Sequence, residues 1–210
     1  MLKTIPALEF SRVILLVEDS AKYYSRYLPL LYTSVLEQTK RIIDEISKMD
    51  ELYKILRLRA RPKVMLATNY EQALDIFETY KDNMLCLITD VKFPKGGIVS
   101  EVAGFKLVEH IRSQISDLPT VIQSSNIHNE SRALQLKAKF IDKNTEALLQ
   151  EIRTFIGVNL GFGDFIFKDV EGRRYDVAKN LIEFVEKLHE VPDLSLLYHA
   201  GKNHFSLWFK

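Results

Sequence analysis

The sequence predicts an α/β fold built on a parallel sheet, because short apolar segments alternate with amphipathic segments over the first 157 residues. The apolar segments are rich in β-branched residues and leucine, which is typical of strands that are covered on both faces. The segments between them repeat apolar residues at helical spacing. Polar residues follow several of the apolar segments, which predicts a site at one edge of the sheet.

Each element follows from this pattern in chain order. We expect strands at residues 12–17, 63–67, 85–89 and 120–123, with a short fifth strand at Phe140 and Ile141. We expect helices at residues 71–80, 104–113 and 145–156. A further helix around residues 129–138 is short and weakly apolar, so it is marginal by itself.

The first crossover is unusually long. About forty residues separate the first two strands, where roughly a dozen or more are needed. Leu28, Val35, Ile42 and Met49 recur every seven residues, which predicts a long amphipathic helix with an insertion at about residues 30–61. Pro29 should kink this helix or mark its start. The helix either folds back as a hairpin on its own domain or forms a homodimer through this heptad face.

The sequence changes character after the last predicted helix. Gly157, Gly161 and Gly163 lie close together and predict a linker or a sharp turn. We therefore divide the chain into a domain at residues 1–157 and an extension at 158–210. Residues 165–168 and 173–177 predict a β-hairpin, and residues 181–188 predict a helix that Pro192 stops. The extension is interpreted as a small α+β unit that begins a further module.

Composition narrows the function classes. The formal net charge of +1 does not favour nucleic acid or an anionic membrane as a partner. We find no apolar stretch long enough to span a bilayer, so we expect a cytoplasmic protein. Cys86 is a single cysteine in an apolar run, so it is predicted to be a buried apolar residue and not a catalytic thiol.

Polar residues at the ends of the predicted strands form one candidate site. Glu18 and Asp19 follow the first strand, Asp90 the third, Ser124 the fourth and Lys143 the fifth. The carboxyl ends of parallel strands meet at one edge of the sheet, so these side chains should converge. Each of these residues by itself is common at the end of a strand. Their joint occurrence in this order makes the prediction of a shared site specific.

The chemistry of these residue types suits phosphoryl transfer. Clustered carboxylates repel one another unless a hard divalent cation such as Mg²⁺ binds them. An aspartate can attack phosphorus to form an aspartyl-phosphate, while a lysine and the metal ion offset the charge of the transferred group. The Ser124 hydroxyl can donate a hydrogen bond to a phosphoryl oxygen.

These motifs resemble the receiver domains of two-component response regulators. The similarity covers about residues 11–157 and rests on LLVEDS at 15–20, Asp90 with Pro94 after it, LPTVIQSS at 118–125 and FIDK at 140–143. It implies a flavodoxin-like sheet with strand order 2-1-3-4-5. It also implies that a sensor histidine kinase or phosphotransfer protein supplies the phosphoryl group.

The same resemblance implies a role for each residue of the site. Asp90 would accept the phosphoryl group, and Ser124 and Lys143 would contact it. Ser124 and Phe140 would form the switch pair. Mg²⁺ would be held by Glu18, Asp19, Asp90 and the backbone carbonyl of Lys92.

The sequence departs from this family in three places. Asn144 stands after Lys143 where proline is usual, which puts the usual cis peptide in question. The segment from Asp90 to Gly104 is longer than usual, and we expect it to be a mobile loop or a cap over the site. The fourth helix is short and normally belongs to the output surface, so output is predicted to use another route.

A narrower resemblance concerns the long insertion and the C-terminal residues. LRLRARP at 56–62, GFGDF at 161–165 and NHFSLW at 203–208 are similar to the amino-terminal region of bacterial proteins in which a receiver precedes a module resembling phosphoenolpyruvate synthase and pyruvate phosphate dikinase. This implies that the receiver regulates a catalytic module that follows it. The catalytic sites of such a module would lie beyond Lys210.

Two other function classes compete with a phosphorylation switch. A receiver-like scaffold for dimerisation or docking would need no phosphate, and the altered loop and short fourth helix favour it. An aspartate-nucleophile phosphatase usually has a second acid two residues after the nucleophile, where this chain has Lys92. His199 and His204 are five residues apart without a ligand pattern, so a structural role is predicted.

Overall fold

The computed structural model describes residues 12–45, 61–160, 164–179, 181–202 and 204–205. Five parallel strands form the central sheet, in the order β2-β1-β3-β6-β7. They are β1 (Val13–Val17), β2 (Lys63–Ala67), β3 (Met84–Asp90), β6 (Thr120–Ser124) and β7 (Lys139–Asp142). Strands β4 (Phe93–Lys95) and β5 (Ile98–Ser100) pair with each other outside this sheet. Because β4 and β5 lie outside the central sheet, β6 and β7 are its fourth and fifth strands along the chain. The observed order is therefore the predicted 2-1-3-4-5, which confirms the flavodoxin-like α/β fold.

Helices cover both faces of the sheet. They are α1 (Ala21–Glu45), α2 (Tyr70–Tyr80), α3 (Ala103–Gln114), α4 (Glu130–Gln135) and α5 (Leu148–Asn159). Side chains of β1 alternate between the two faces, so Ile14 and Leu16 pack with α1 and α5, whereas Val13 and Leu15 pack with α2 and α3. This two-sided burial explains why the strand segments are apolar throughout.

The first crossover helix belongs to the core of its own domain. Val35 is 2% exposed and Leu28 is half-buried, and both pack in the cluster beneath β1 and α5. The fold already covers Val35, so this residue is not available for a dimer face, while a homodimer through the remaining heptad positions stays a prediction. The side chain of Ile42, and Met49 with the predicted second helix, lie outside the described residues. Pro29 does not mark the start, since α1 begins eight residues earlier, at Ala21.

The long segment after Asp90 is an ordered hairpin, which corrects the prediction of a mobile loop. Gly96 and Gly97 join β4 to β5 with φ values of 62° and 78°. A two-residue turn with positive φ at both positions matches the twist of a β-hairpin and favours glycine. The Gly96 amide donates to Glu71 Oε1 at 2.8 Å, and the Lys95 ammonium lies 3.7 Å from the Tyr70 ring centroid. These contacts fix the hairpin against the start of α2.

The C-terminal residues form a second, smaller core. It contains the predicted hairpin of β8 (Phe165–Lys168) and β9 (Arg174–Ala178), followed by α6 (Leu181–Leu188) and α7 (Asp193–Gly201). Phe165, Phe167 and Phe184 pack at its centre. Gly157 is not part of a linker, because α5 continues to Asn159, whereas Gly161 and Gly163 lie outside the described residues.

Two predictions from composition can be compared with the structure. Cys86 is fully buried in β3, and burial raises the pKa of its thiol, which makes the reactive thiolate unfavourable. Within the described ranges, none of the helices combines the length and the apolar character that a membrane crossing would require.

Candidate functional site

The predicted site residues converge at the carboxyl edge of the sheet. Glu18 and Asp19 follow β1, and Asp90 is the last residue of β3. These three side chains offer carboxylate oxygens that all lie within 4.8 Å of one another. Ser124 ends β6 and Lys143 follows β7, so both reach the same edge.

Lys143 connects two of the carboxylates. Its ammonium lies 2.6 Å from Glu18 Oε2 and 2.6 Å from Asp90 Oδ2. The Lys143 and Glu18 side chains are almost entirely buried, so solvent screens these contacts much less than it screens surface ion pairs. The ammonium also lies 4.3 Å from the ring centroid of Tyr23, which comes from the first turn of α1. The charged end of Lys143 is therefore held in one place from three sides.

Backbone amides and one buried amide side chain orient the carboxylates. The Ser20 amide donates to Glu18 Oε1 at 3.1 Å, and Gln123 Nε2 donates to Glu18 Oε2 at 3.1 Å. The Val91 amide donates to Asp90 Oδ1 at 2.7 Å. The turns after β1 and β3 therefore each supply a backbone amide to the carboxylate at the end of that strand, and Gln123 on β6 supplies a second donor to Glu18.

Burial dominates the protonation behaviour of the site. Burial raises the pKa of Glu18 to about 7. The ammonium of Lys143 opposes this increase, whereas the negative charge of Asp90 contributes to it. Burial also raises the pKa of Asp90, again against Lys143. A single ammonium therefore does not fully compensate the carboxylates that surround it.

The donor set fits a magnesium ion. Glu18, Asp19 and Asp90 offer three hard oxygen ligands, and Asp19 is exposed, so water can complete the coordination. A divalent cation would also supply the positive charge that the buried carboxylates lack. Among the described residues, this is the grouping of acids, histidines or cysteines that could hold a metal ion.

The Ser124 hydroxyl is hydrogen-bonded to residues that follow β6. Its hydroxyl oxygen accepts from Asn129 Nδ2 at 2.8 Å and from the Asn126 amide at 3.1 Å. Its carbonyl accepts from the Lys143 amide at 2.9 Å, which ties β6 to the turn after β7. The turn between β6 and the short helix α4 thus holds the hydroxyl.

Two predicted residues lie beside the site. Phe140 is half-buried in β7 and packs against the core below α3 and α4. The Lys92 ammonium lies 2.6 Å from Glu101 Oε1, and both side chains are mostly exposed. That pair joins the two ends of the β4–β5 hairpin. The role of the Lys92 carbonyl as a metal ligand stays a prediction.

The sequence did not single out four residues that the structure places at the site. They are Tyr23, Tyr27, Gln123 and Asn129. The Tyr27 hydroxyl and Gln123 Oε1 are buried and have no hydrogen-bond partner among the described residues. Gln123 could have been found from sequence, because a polar residue inside an apolar strand is unusual. The tyrosines carry no such signal in an amphipathic helix.

His199 and His204 lie in the smaller core and not at this site. His199 Nε2 accepts from the Lys168 amide at 3.0 Å, and its Nδ1 lies 2.9 Å from Nδ1 of His204. Their hydrogen bonds are to the backbone and to each other, and the His199 ring also packs against Phe165. The structural role expected for them stays a prediction.

Comparisons with known proteins give matches to structure only. No protein-family model and no curated protein matches the sequence. A response regulator receiver domain protein from Clostridium thermocellum is 17% identical, with a TM-score of 0.49, over 70% of this chain and 91% of that one. The receiver domain of sensor histidine kinase PA1611 from Pseudomonas aeruginosa, described with a magnesium ion in its active-site cleft, is 19% identical, with a TM-score of 0.46, over 70% and 98%.

A third match is response regulator TrrA from Thermotoga maritima, in complex with Mg²⁺ and BeF. It is 17% identical, with a TM-score of 0.40, over 69% of this chain and 98% of that one. All three matches lie below 25% identity and below a TM-score of 0.5. The fold assignment therefore rests on the strand order of this chain itself.

Proposed function

We propose that the chain is a phospho-accepting receiver of a two-component phosphorelay, with Asp90 as the phosphoacceptor. The observation that carries this proposal is the contact of one buried lysine with Asp90 and Glu18, beside a third carboxylate, at the carboxyl edge of a parallel sheet. The donor is a phosphohistidine on a sensor kinase or phosphotransfer protein. In this role the chain is a phosphoacceptor and not an enzyme.

The proposed reaction assigns a task to each side chain. An Asp90 carboxylate oxygen attacks phosphorus, the bond between phosphorus and the donor imidazole breaks, and the imidazole keeps its electron pair and takes up a proton. Mg²⁺, when held by Glu18, Asp19, Asp90 and the Lys92 carbonyl, supplies positive charge opposite the phosphoryl oxygens. Lys143 moves from Asp90 Oδ2 to a phosphoryl oxygen.

The proposed switch links the phosphoryl group to Ser124 and Phe140. Ser124 turns from Asn129 to donate to a phosphoryl oxygen, and Phe140 fills the space behind it. The identity of the module that the switch controls is a separate and more specific proposal. An attached module resembling phosphoenolpyruvate synthase is suggested by the sequence resemblance alone.

Phosphorylation from a small phosphodonor tests the proposal. With Mg²⁺ and acetyl phosphate, intact-mass analysis should show one added phosphoryl group that is stable in acid and lost in base. Asp90→Asn should abolish the adduct, whereas Asp75→Asn, an exposed aspartate on α2, should leave it unchanged. The proposal is wrong if the wild type gains no adduct and binds neither Mg²⁺ nor beryllofluoride.

Two observations favour a second candidate, a receiver-like scaffold that works without phosphate. The loop after Asp90 is replaced by the β4–β5 hairpin, and α4 has only six residues. A scaffold would bind its partner equally well as wild type and as Asp90→Asn. The same phosphorylation experiment, combined with partner binding, therefore separates the two functions.

A further inference from the structure

We propose that a cleft between α5 and the C-terminal unit binds a small organic anion with an aromatic or apolar body. The cleft has a volume of about 600 Å³, which lies within the range of small-molecule sites. The last turns of α5 form one wall, and β8, β9 and α7 form the others. It does not share residues with the Asp90 site, so the proposal is independent of phosphorylation.

Positive charge gathers around this cleft. Lys168, Arg174 and Lys202 line it, and Asp164 is the acid among the described lining residues. None of these three cations forms an ion pair with another residue in the described part of the chain. Like charges that share a half-enclosed space repel one another, and a bound anion would remove that cost.

A pair of histidines presents a hydrogen-bond donor to the same cleft. His199 Nε2 accepts from the Lys168 amide at 3.0 Å, so a neutral His199 carries its hydrogen on Nδ1. That hydrogen is donated to His204 Nδ1, 2.9 Å away. His204 must then carry its own hydrogen on Nε2. Nothing among the described residues accepts this hydrogen, and His204 lines the cleft.

The electrostatics of the histidines support this arrangement. Burial and the charges of Lys168 and Lys202 lower the pKa of His204. The pKa of His199 is lowered to about 4, mainly by burial. Both imidazoles are therefore neutral near pH 7, which is the state that the hydrogen-bond chain requires.

Aromatic side chains give the cleft a preference for an organic ligand. Phe165 and Tyr198 line it, and the Phe165 ring centroid lies 4.7 Å from that of His199. Phe165 is almost fully buried and supplies the apolar floor, whereas Tyr198 is half-buried, so a planar or apolar body can stack on the Tyr198 ring while its phosphate, carboxylate or sulfonate group faces the lysines. A bare inorganic anion would use only the charged part.

Titration with phenyl phosphate tests the proposal in the full chain. The readout is the imidazole resonances of His199 and His204 in long-range proton–nitrogen NMR spectra. Phenyl phosphate should shift them to saturation, and inorganic phosphate should bind more weakly. Benzyl alcohol has the ring without the charge and should give no saturation.

Variants locate the binding to this cleft. Lys202→Gln and Arg174→Gln should each weaken phenyl phosphate binding by about fivefold, which corresponds to loss of one partly exposed charge contact. Lys179→Gln removes an exposed lysine that does not line the cleft and should leave the affinity unchanged. The proposal would be overturned if all three variants bound phenyl phosphate with equal affinity, or if phenyl phosphate caused no saturable shift of the histidine resonances. It would also be overturned if inorganic phosphate bound as tightly as phenyl phosphate.

Discussion

Ser124 accepts two hydrogen bonds in the structure, and in the proposed switch these bonds oppose the turn of its hydroxyl toward a phosphoryl group. The shorter bond comes from the Asn129 side chain at 2.8 Å, and the other comes from a backbone amide. A mutation can remove the first without altering the strand. Asn129 is therefore the accessible point for changing the balance between the resting and switched states.

Asn129→Ala should tighten the binding of beryllofluoride in the presence of Mg²⁺. The substitution removes a hydrogen bond that the resting state has and the switched state has to break. One such bond contributes about 1 kcal/mol, so the dissociation constant should fall by about fivefold. Isothermal titration calorimetry measures the change. His128→Ala alters the exposed neighbouring residue and should have no effect; weaker binding in Asn129→Ala would contradict the proposed switch.

His199 makes the smaller core sensitive to acid. Burial lowers the pKa of His199 to about 4, below the value of about 6.5 expected in the unfolded chain. The unfolded state therefore binds more protons between these values, so stability is full above about pH 6.5 and is lost as the pH falls toward 4. The loss should reach at most about 3 kcal/mol.

Denaturant unfolding at pH 7 and pH 5 measures this loss. Phe165 and Phe184 can be followed through near-ultraviolet circular dichroism of the aromatic cluster. His199→Gln should be less stable at pH 7 but should lose less stability on acidification. An equal pH dependence in both proteins would show that another group is responsible.

At the scale of elements, α3 approaches β3 more closely than a side chain on Gly104 would allow. Gly104 donates its amide to the Val91 carbonyl at 3.0 Å. A Cβ atom on Gly104 would lie 2.0 Å from the Asp90 carbonyl oxygen and 2.9 Å from Val91 Cα. The start of α3 can therefore rest on the end of β3 only because this residue is glycine.

Gly104→Ala should destabilise the protein by about 2–3 kcal/mol, because the clash is with backbone and cannot be relieved by a rotamer change. Gly157→Ala is the matched control within a helix, since a Cβ atom there would meet no described atom beyond its own helix within 4 Å. The control should gain about 0.5–1 kcal/mol from better helix propensity. Urea unfolding compares the two. A Gly104→Ala protein as stable as the wild type would show that α3 can move.

The hairpin β4–β5 shows what sequence could and could not predict about the elements. The apolar strands were predictable because both faces are buried, and the site residues were predictable because each stands at a strand end. The segment that contains Gly96 and Gly97 was expected to be a mobile loop or a cap and not a hairpin, and nothing in the sequence indicated that Glu71 would accept the Gly96 amide. That contact joins distant residues, so it depends on the assembled fold.

For the whole molecule, the long first crossover illustrates a further limit of sequence. The seven-residue repeat that marks a dimer face is also the repeat of any long helix packed on a sheet. Val35 and Leu31 turn out to face the sheet, together with Tyr27. The two interpretations, a dimer face and a face packed on the sheet, differ in what lies against α1. The position of α5 beside α1 supplies this information, and no local sequence pattern encodes it.

Val35→Glu should unfold the domain and not merely dissociate a dimer. It places a charge in a core where the side chain is 2% exposed, which costs on the order of 3 kcal/mol or more. Leu36→Glu is the matched control, because Leu36 is 52% exposed on the same helix. Circular dichroism should show lost stability for Val35→Glu alone, and sedimentation velocity should show whether Leu36→Glu changes the oligomeric state. A stable, folded Val35→Glu protein would contradict this packing.

The length of α1 has a mechanical consequence. Its 25 residues extend about 37 Å, whereas a five-residue strand extends only about 17 Å, so the helix reaches well beyond the sheet. Its first turns carry Tyr23 against Lys143, next to the acidic cluster. A tilt of about 5° around that end would displace the far end by about 3 Å, given the helix length. Any tilt of α1 around the charged site would therefore be largest at its far end, near Glu45.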